Sequence, residues 1–582
     1  MKKQPAVPLD FRNTNALWCS VLVETLVRLS ARHAVTCPGS RSTPLTLALA
    51  RHPGIEVTPV LDERSAAFFA LGLGKRTRRP ALLVCTSGTA GANFHPAVIE
   101  AWESGVPLLV FTADRPPEMR ECRSGQTIDQ QKLFGNHVVF YHELAVPEPA
   151  LPMLRYLRQT VAHAWHCAQG GPVHLNAPFR DPLPPLPDGR TGAVRRMLKS
   201  GQFFAGLTVT ARPTISINLD DALRDLRRKR GLIVAGYTTP SDRAAYAANV
   251  GRIAAALGWP VLADTLSPAR HFDRYVPHLI TAYDLVPRDR RLSAVLQAEA
   301  VLVLDNWPTS KALRQWLGAL DLPGVVISPA TQNPDALHGR LRRVNAAVED
   351  VVAGEPFTGS PIWTALWNRA ERLLRRGLTV GANRPGFEGG IVPVLADAVP
   401  AGTTVVVANS MPVRDAEYFW PPNDRGCTVL CNRGANGIDG TLSTALGVAQ
   451  VGGAAVLLTG DLAFLHDSNG LLLRPEFRGS LTVVLVNNAG GGIFNHLPIA
   501  EFDPPFERLF ATPQQADFAK VCAAHGVVYR RVATIAQLGR LLAKLPRRGI
   551  RVLEYRTDRK KDAAWRKKLF GDVAARVGSQ IR

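Results

Sequence analysis

The feature that most constrains the fold is a series of short apolar segments that each end in small polar residues. In the first third of the chain these segments are 33–37, 55–61, 80–85 and 106–112, and helical patterns separate them. Short all-apolar strands that alternate with helices predict a parallel sheet covered on both faces. The polar residues then all lie at the carboxyl edge of the sheet, where open α/β folds bind ligands.

The same pattern returns in the middle and the last thirds of the chain, without repeating the sequence of the first. A chain of 582 residues is too long for one core, and about 100–200 residues per domain predicts roughly three domains. A Pro-rich run at 181–189 is interpreted as a linker. We therefore predict an α/β protein of three consecutive doubly wound domains with mostly parallel sheets, at residues 1–190, 191–375 and 376–582.

The net charge of +21 raises the question of nucleic-acid binding. The basic residues are spread along the whole chain, and the densest groups, at 287–291, 372–377 and 556–568, contain little aromatic interleaving. The last of these groups is interpreted as a solvated tail or helix face. A basic pocket for anionic small molecules explains the charge as well, and we predict no nucleic-acid partner.

Cellular location is predicted from what the sequence does not contain. The first residues have two lysines without an apolar region behind them, so we expect no signal peptide. We find no apolar run that approaches the ~20 residues of a membrane span. The 8 cysteines are scattered without metal-binding spacing, which is typical of buried thiols in a reducing compartment. We predict a cytoplasmic protein.

Two apolar strands of the last third end in complementary polar residues. One ends at Thr459-Gly460-Asp461, and the next ends at Asn487-Asn488-Ala489-Gly490. One helix connects them, so a βαβ crossover places their tips side by side or nearly so. A carboxylate, an amide oxygen and backbone carbonyls suit Mg²⁺, which completes its shell with phosphate and water. The alternative is that Asp461 only caps a helix and the two asparagines only form a turn.

This arrangement resembles the diphosphate-binding signature of the thiamine diphosphate enzymes. Leu462 stands where that signature usually has glycine. In this departure the chain resembles the members of the family that act in menaquinone biosynthesis. The resemblance is loose in the middle third. It extends in family order over the segments 37–44, 61–75, 86–98, 112–118, 171–183, 432–447 and 491–498.

The resemblance implies a thiamine diphosphate-binding fold in the first and last domains, with Mg²⁺ as the metal and Mn²⁺ as its alternative. It implies that Glu63 is the catalytic carboxylate that exchanges a proton with the aminopyrimidine ring of the cofactor. We expect burial beside that ring to raise the pKa of Glu63. The implied cofactor-binding residues are Glu63, Asn409, Ser410, Ile438, Gly460, Asp461, Leu462 and Asn488, and the implied metal ligands are Asp461, Asn488 and Gly490.

The roles that the resemblance implies for Glu63 and Ile438 each have an ordinary structural alternative. Glu63 would otherwise form a surface ion pair with Arg64. Ile438, which the resemblance makes the apolar wedge under the bent cofactor, would otherwise be a core residue.

The resemblance also implies the substrates, 2-oxoglutarate and isochorismate, joined by a 1,4-addition after loss of carbon dioxide. Arginines suit their carboxylates because the guanidinium fork binds a carboxylate with two hydrogen bonds. Lys311 matches the family pattern only loosely, and Ala489 replaces the usual third asparagine. The implied substrate residues are Ser40, Arg41, Arg115, Gln126, Lys311, Ser410, Arg414 and Arg433, with Ile493, Phe494 and Leu497 as the apolar wall around the ring of isochorismate.

In the family, different subunits hold the two ends of one cofactor, so we predict a homodimer or homotetramer with sites at the subunit interface. Two alternatives stay open. The first is another thiamine diphosphate enzyme, such as a 2-oxoacid decarboxylase or an acetolactate synthase. The second is a basic nucleic-acid-binding protein that retains only the fold.

Overall fold

A computed structural model of the chain describes residues 8–198, 200–208, 216–330, 332–354 and 360–581. The first third of the chain forms a parallel sheet of six strands in the order β2-β1-β3-β4-β6-β5. Its strands are β1 (His33–Thr36), β2 (Glu56–Pro59), β3 (Ala81–Cys85), β4 (Leu108–Asp114), β5 (Phe140–Glu143) and β6 (Pro172–Pro178). Its helices are α1 (Thr14–Arg28), α2 (Thr43–Arg51), α3 (Glu63–Thr77), α4 (Thr89–Ala92), α5 (His95–Glu103), α6 (Leu151–Cys167), α7 (Gly192–Met197) and α8 (Ser200–Phe203).

The middle third forms a second six-stranded parallel sheet, in the order β10-β9-β8-β11-β12-β13, and a separate pair β14-β7. Its strands are β7 (Ile217–Asn218), β8 (Gly231–Ala235), β9 (Val261–Ala263), β10 (Leu279–Ile280), β11 (Ala300–Leu304), β12 (Pro323–Ile327), β13 (Arg340–Val344) and β14 (Val351–Val352). Its helices are α9 (Leu219–Leu223), α10 (Arg243–Leu257), α11 (Arg290–Val295), α12 (Lys311–Leu320) and α13 (Pro361–Ala382).

The last third forms a third six-stranded parallel sheet, in the order β16-β15-β17-β18-β20-β19. Its strands are β15 (Thr404–Val407), β16 (Thr428–Leu430), β17 (Ala454–Gly460), β18 (Ser480–Asn487), β19 (Val528–Val532) and β20 (Gly549–Arg556). Its helices are α14 (Ile391–Ala398), α15 (Met411–Phe419), α16 (Thr441–Gly452), α17 (Asp461–His466), α18 (Phe518–Ala524), α19 (Ile535–Leu542) and α20 (Arg559–Gln580).

These three sheets confirm the predicted fold class. Every residue of β3 and β4 is buried, as expected of strands that helices cover on both faces. The domain boundaries at 190 and 375 stay a prediction. No helix within the described ranges has the length and apolar composition that crossing a membrane requires.

The Pro-rich run at 181–189, interpreted as a linker, is hydrogen-bonded to the first domain along its length. The side-chain amide of Asn13 donates to the carbonyls of Pro184 and Leu186, and that of Asn15 donates to Arg180 and Pro182, at 2.8–3.1 Å. These hydrogen bonds fix the run along the start of α1.

Contacts between Cα atoms divide the described chain into two compact units. The first contains Met1–Arg212, Asn432–Gly453 and His466–Gly479, and the second contains Pro213–Cys431, Ala454–Leu465 and Ser480–Arg582. The middle and last sheets therefore belong to the second unit. The first unit combines the first sheet with α16, although α16 lies far along the chain.

Two glycines explain why α16 packs so closely on α3 within the first unit. A Cβ atom at Gly72 would lie 2.1 Å from the carbonyl oxygen of Thr444, and one at Gly447 would lie 2.1 Å from that of Phe69. Real Cβ atoms do not approach backbone this closely, so the two helix backbones meet only where both side chains are absent.

We predict that Gly72→Ala destabilises the protein by about 1–3 kcal/mol, because the new methyl group overpacks a backbone contact. Gly571→Ala on α20 is the matched control, since no described atom lies within 4 Å of its Cβ position. The control should stabilise by about 0.5–1 kcal/mol through helix propensity. Urea unfolding measures both, and equal effects of the two substitutions would contradict this packing.

Candidate functional site

The predicted site residues fall into two groups, one in each compact unit. In the second unit β17 and β18 are parallel neighbours, with Gly460 opposite Val486, so their carboxyl ends lie together as predicted. The buried carboxylate of Asp461 accepts a hydrogen bond from Leu462 N at 2.9 Å and one from Gly490 N at 2.8 Å. Burial raises the pKa of Asp461 to about 6. The two hydrogen bonds oppose that shift and hold both carboxylate oxygens in place.

The loop after β18 requires glycine where it meets Asp461. Gly490 has a φ of 132°, and a Cβ there would lie 2.5 Å from the carbonyl oxygen of Ala511. The Gly490 carbonyl accepts a hydrogen bond from Gly492 N at 2.9 Å. A carbonyl oxygen has two lone pairs, so this bond leaves one acceptor position on the predicted metal ligand.

Asn488 presents a buried oxygen that the fold leaves without a donor. Its Nδ2 donates to Glu388 Oε2 at 2.9 Å, while its Oδ1 is buried and accepts no hydrogen bond from any described residue. A buried acceptor without a partner is costly unless a ligand satisfies it. The described ranges contain no group of three or more His, Cys, Asp and Glu side chains that could hold a metal ion by themselves. Asp461 and Asn488 therefore fit a hard cation that takes its other ligands from phosphate and water.

Behind Asn488 lies a buried charged network that the sequence analysis missed. Arg566, which is 2% exposed, donates to Glu388 Oε1 at 2.8 Å and to Asp415 Oδ1 at 2.7 and 3.1 Å. Burial opposes the charge of Arg566, but the two carboxylates outweigh it and raise the pKa of Arg566. Burial and repulsion from Glu388 raise the pKa of Asp562 to about 8.

The interpretation of the basic group 556–568 as a solvated face is wrong for two of its residues, Arg559 and Arg566, which are buried on α20. The other basic residues of the group are exposed, as that interpretation predicts. Arg559 donates to the carbonyl of Ala489 at 3.3 Å and to Asn495 Oδ1 at 3.2 Å. The start of α20 thus holds the loop that follows β18. Arg559 and Arg566 are two helical turns apart and share one face of α20 with apolar residues. This spacing is a signal from which the sequence could have indicated their burial.

The turn between β15 and α15 places Ser410 and Arg414 together. Ser410 has a φ of 68° and a ψ of −128°, a backbone conformation that residues other than glycine rarely adopt. Its carbonyl accepts a hydrogen bond from Arg414 Nη1 at 2.6 Å. Asn409, directly before it, is buried and accepts from Cys431 Sγ at 3.5 Å. A strained residue at a strand tip marks a position where the surrounding structure fixes the backbone.

The predicted apolar wall is only partly buried. Ile493 and Phe494 are half-buried, and Leu497 is 43% exposed. The ring of Phe494 lies 6.1 Å from that of Phe510. Lys311 is exposed as the first residue of α12, beyond the end of β11, so it belongs to the middle sheet.

In the first unit two arginines approach each other at strand ends. Arg41 donates to the carbonyl of Phe179 at 2.8 Å, and Arg115 donates to the carbonyl of Gln126 at 2.9 Å and to Ser87 Oγ. Burial and the charge of Arg41 lower the pKa of Arg115. The Nε atoms of both arginines are buried without a partner among the described residues. Asp181 Oδ1 lies 3.8 Å from Arg41 Nη1 and offsets part of the positive charge of the pair. The spare Nε donors suit a carboxylate ligand.

Ser40 and Gln126 lie beside this pair. Ser40 is exposed directly before Arg41. Gln126 donates from its side chain to the carbonyl of Ser87 at 2.9 Å, so Ser87 links it to Arg115.

Glu63 is the first residue of α3 and is half-buried. Asp62 caps the helix by accepting a hydrogen bond from Ser65 N at 2.8 Å. Arg64 donates to the carbonyl of His466 at 2.8 Å. Burial raises the pKa of the Cys37 thiol, which directly follows β1, and the charge of Glu63 makes a smaller contribution in the same direction.

The loop that carries Arg433 and Ile438 is anchored by Glu100, a second residue that the sequence analysis missed. Glu100 is 2% exposed and accepts from Gly434 N at 3.2 Å and Ala435 N at 2.7 Å. It also binds Lys75 Nζ at 3.1 Å, a buried counter-charge. Arg433 and Ile438 themselves are half-buried.

Comparison with known proteins identifies relatives along nearly the whole chain. Residues 19–133 match the model described as "Thiamine pyrophosphate enzyme, N-terminal TPP binding domain". Residues 206–382 match "Middle domain of thiamine pyrophosphate", and residues 413–554 match "Thiamine pyrophosphate enzyme, C-terminal TPP binding domain".

Curated proteins named 2-succinyl-5-enolpyruvyl-6-hydroxy-3-cyclohexene-1-carboxylate synthase are similar throughout. The protein of Rippkaea orientalis is 47% identical over 98% of this chain and 98% of its own length. That of Synechococcus elongatus is 49% identical over 98% of both chains. That of Synechococcus sp. (strain JA-3-3Ab) is 51% identical over 97% of both chains.

We predict that Glu100→Gln destabilises the protein by about 3–5 kcal/mol, because it removes the negative charge that lies 3.1 Å from the buried ammonium of Lys75. Glu103→Gln is the matched control, three residues later on α5 and exposed. It should change stability by less than about 0.5 kcal/mol. Urea unfolding compares the two, and a loss below about 1 kcal/mol for Glu100→Gln would contradict the anchoring role.

Proposed function

The chain belongs to the thiamine pyrophosphate enzyme family, and on that premise we propose that it is a 2-succinyl-5-enolpyruvyl-6-hydroxy-3-cyclohexene-1-carboxylate synthase. It decarboxylates 2-oxoglutarate and adds the remaining four-carbon unit to isochorismate by 1,4-addition, in menaquinone biosynthesis. The observation that carries the proposal is the 47–51% identity to relatives with that name over almost the whole chain.

The second unit holds the diphosphate end of the cofactor in this proposal. Asp461, Asn488 and the Gly490 carbonyl bind Mg²⁺, or Mn²⁺ as the alternative. The support is the Asn488 oxygen that accepts no hydrogen bond from a described residue, and the carboxylate fixed at the neighbouring strand tip. The other cofactor-binding residues of this unit in the proposal are Asn409, Ser410, Gly460 and Leu462.

When bound, thiamine diphosphate supplies the electron sink that makes decarboxylation of a 2-oxoacid feasible. The task of Glu63 is to hold and exchange a proton on its carboxylate oxygen at the aminopyrimidine ring. Ile438 would provide the apolar side chain that packs against the cofactor when it is bound. Ile493, Phe494 and Leu497 exclude water around the ring of isochorismate.

Arginine side chains orient the substrate carboxylates. Arg41 and Arg115 suit this role because their buried Nε donors have no partner among the described residues. Arg414 and Arg433 are likewise proposed to bind substrate carboxylates. The remaining polar positions in the proposal are Ser40, Gln126, Lys311 and Ser410.

A homodimer or homotetramer, with sites at the subunit interface, belongs to the proposal because the family divides each cofactor between subunits. Action in the cytoplasm also belongs to it. All eight cysteines lie in the described part of the chain and are free thiols, which suits a reducing compartment.

The proposal is tested with purified protein, thiamine diphosphate, Mg²⁺, 2-oxoglutarate and isochorismate. Isochorismate absorbance should disappear only when every component is present. Release of carbon dioxide with isochorismate unchanged would instead assign the protein to the 2-oxoacid decarboxylases. If the protein binds the cofactor tightly but catalyses no reaction, the assignment of the two substrates is contradicted and the assignment of the cofactor is retained.

We predict that Glu63→Gln folds and binds the cofactor but loses at least about 100-fold in kcat, because an amide cannot exchange the proton. Glu148→Gln, an exposed carboxylate in the first unit, is the control and should keep full activity. Steady-state kinetics with calorimetry of cofactor binding measures both properties. Wild-type kcat in Glu63→Gln would remove the proton-exchange role.

A further inference from the structure

We propose that Glu388 and Arg566 are positioning residues that fix which end of the Asn488 amide faces the divalent cation. This inference rests on the proposed function, in which Asn488 is a metal ligand. Neither residue touches the metal in the proposal. They act through Asn488, as partners behind a metal ligand commonly do.

An asparagine side chain has two ends of nearly equal size, one donor and one acceptor. Only the oxygen binds a hard cation, so the amide must be prevented from turning over. Glu388 Oε2 accepts from Asn488 Nδ2 at 2.9 Å. Both oxygens of the Glu388 carboxylate accept hydrogen bonds in this arrangement, so Glu388 selects the nitrogen end of the amide and leaves Oδ1 for the metal.

Arg566 makes that selection stable. Glu388 is buried, and a buried carboxylate requires a counter-charge. Arg566 Nη2 binds Glu388 Oε1 at 2.8 Å, so each oxygen of the carboxylate has its own donor. Arg566 also binds Asp415 Oδ1 at 2.7 Å and lies 3.0 Å from His496 Nε2. These contacts fix the guanidinium on α20 from three sides.

Glu388→Gln separates this role from simple packing because it keeps the volume. A glutamine has one acceptor oxygen. If that oxygen faces Asn488, its NH₂ group faces the donors of Arg566, and if it faces Arg566, its NH₂ group faces Asn488 Nδ2. Either orientation breaks one of the two hydrogen bonds. The charged guanidinium of Arg566 favours the second orientation, because a hydrogen bond to a charged donor is the stronger one. The glutamine NH₂ group then selects the oxygen end of the Asn488 amide and turns it away from the metal.

The test is calorimetric titration of Mg²⁺ into each protein at saturating thiamine diphosphate. We expect Glu388→Gln to weaken Mg²⁺ binding about 10–100-fold. In an Asn488→Ala background the same substitution should weaken binding less than about twofold, because the residue through which it acts is gone. Asp397→Asn is the control, an exposed acid-to-amide change on α14, and should leave binding unchanged.

Kinetics provide a second readout. The Mg²⁺ concentration for half-maximal activity should rise about 10–100-fold in Glu388→Gln, while kcat at saturating Mg²⁺ stays within about twofold of wild type. Arg566→Lys, which keeps a buried cation, serves as the second variant if Glu388→Gln does not fold, and should weaken Mg²⁺ binding in the same direction.

Equal weakening in the wild-type and Asn488→Ala backgrounds would overturn the positioning role, as would unchanged Mg²⁺ affinity in Glu388→Gln. Wild-type protein that bound no thiamine diphosphate with Mg²⁺ would overturn the proposed function together with this inference. If the wild-type protein binds thiamine diphosphate with Mg²⁺ and Glu388→Gln leaves the Mg²⁺ affinity unchanged, only this inference is overturned.

Discussion

The hydrogen bond from Gly490 N–H to the Asp461 carboxylate joins the tips of two parallel strands, and the arrangement of the proposed metal site depends on it. Parallel strands end at one edge of a sheet, so β17 and β18 deliver a carboxylate and an amide to the same place. The bond holds only because position 490 is glycine, with a φ of 132° and the carbonyl of Ala511 where a Cβ would be. Backbone geometry therefore fixes the Asp461 carboxylate, the proposed metal ligand, without any bound cofactor.

Buried charge is the second physical theme, and each compact unit has its own example. In the second unit Arg566 neutralises Glu388 and Asp415 beneath the proposed metal ligand. In the first unit Lys75 neutralises Glu100 beneath the loop of Arg433 and Ile438. Such pairs add little to stability compared with apolar packing, but losing one partner costs several kcal/mol. We infer that both pairs serve the geometry of the loops that they hold.

The sequence predicted the sheets and the meeting of Asp461 with the Asn488 loop, because strand patterns and a short crossover are local properties. It did not predict the network of Arg566. The spacing of Arg559 and Arg566 among apolar residues indicates a buried helix face. It does not identify the carboxylate opposite, because the partner Glu388 is distant in sequence and meets Arg566 only through the tertiary packing of α20. Glu100 was missed for the same reason, since its partners lie on a loop more than three hundred residues away.

The most direct measurement is a crystal structure of the protein grown with thiamine diphosphate and Mn²⁺, with anomalous scattering used to locate the metal. The predicted result is one anomalous peak per chain within bonding distance of the Asp461 carboxylate and Asn488 Oδ1, with the cofactor diphosphate on the same ion. A peak at other residues, or cofactor bound without a metal at these strand tips, would contradict the assignment of this edge of the sheet as the cofactor site.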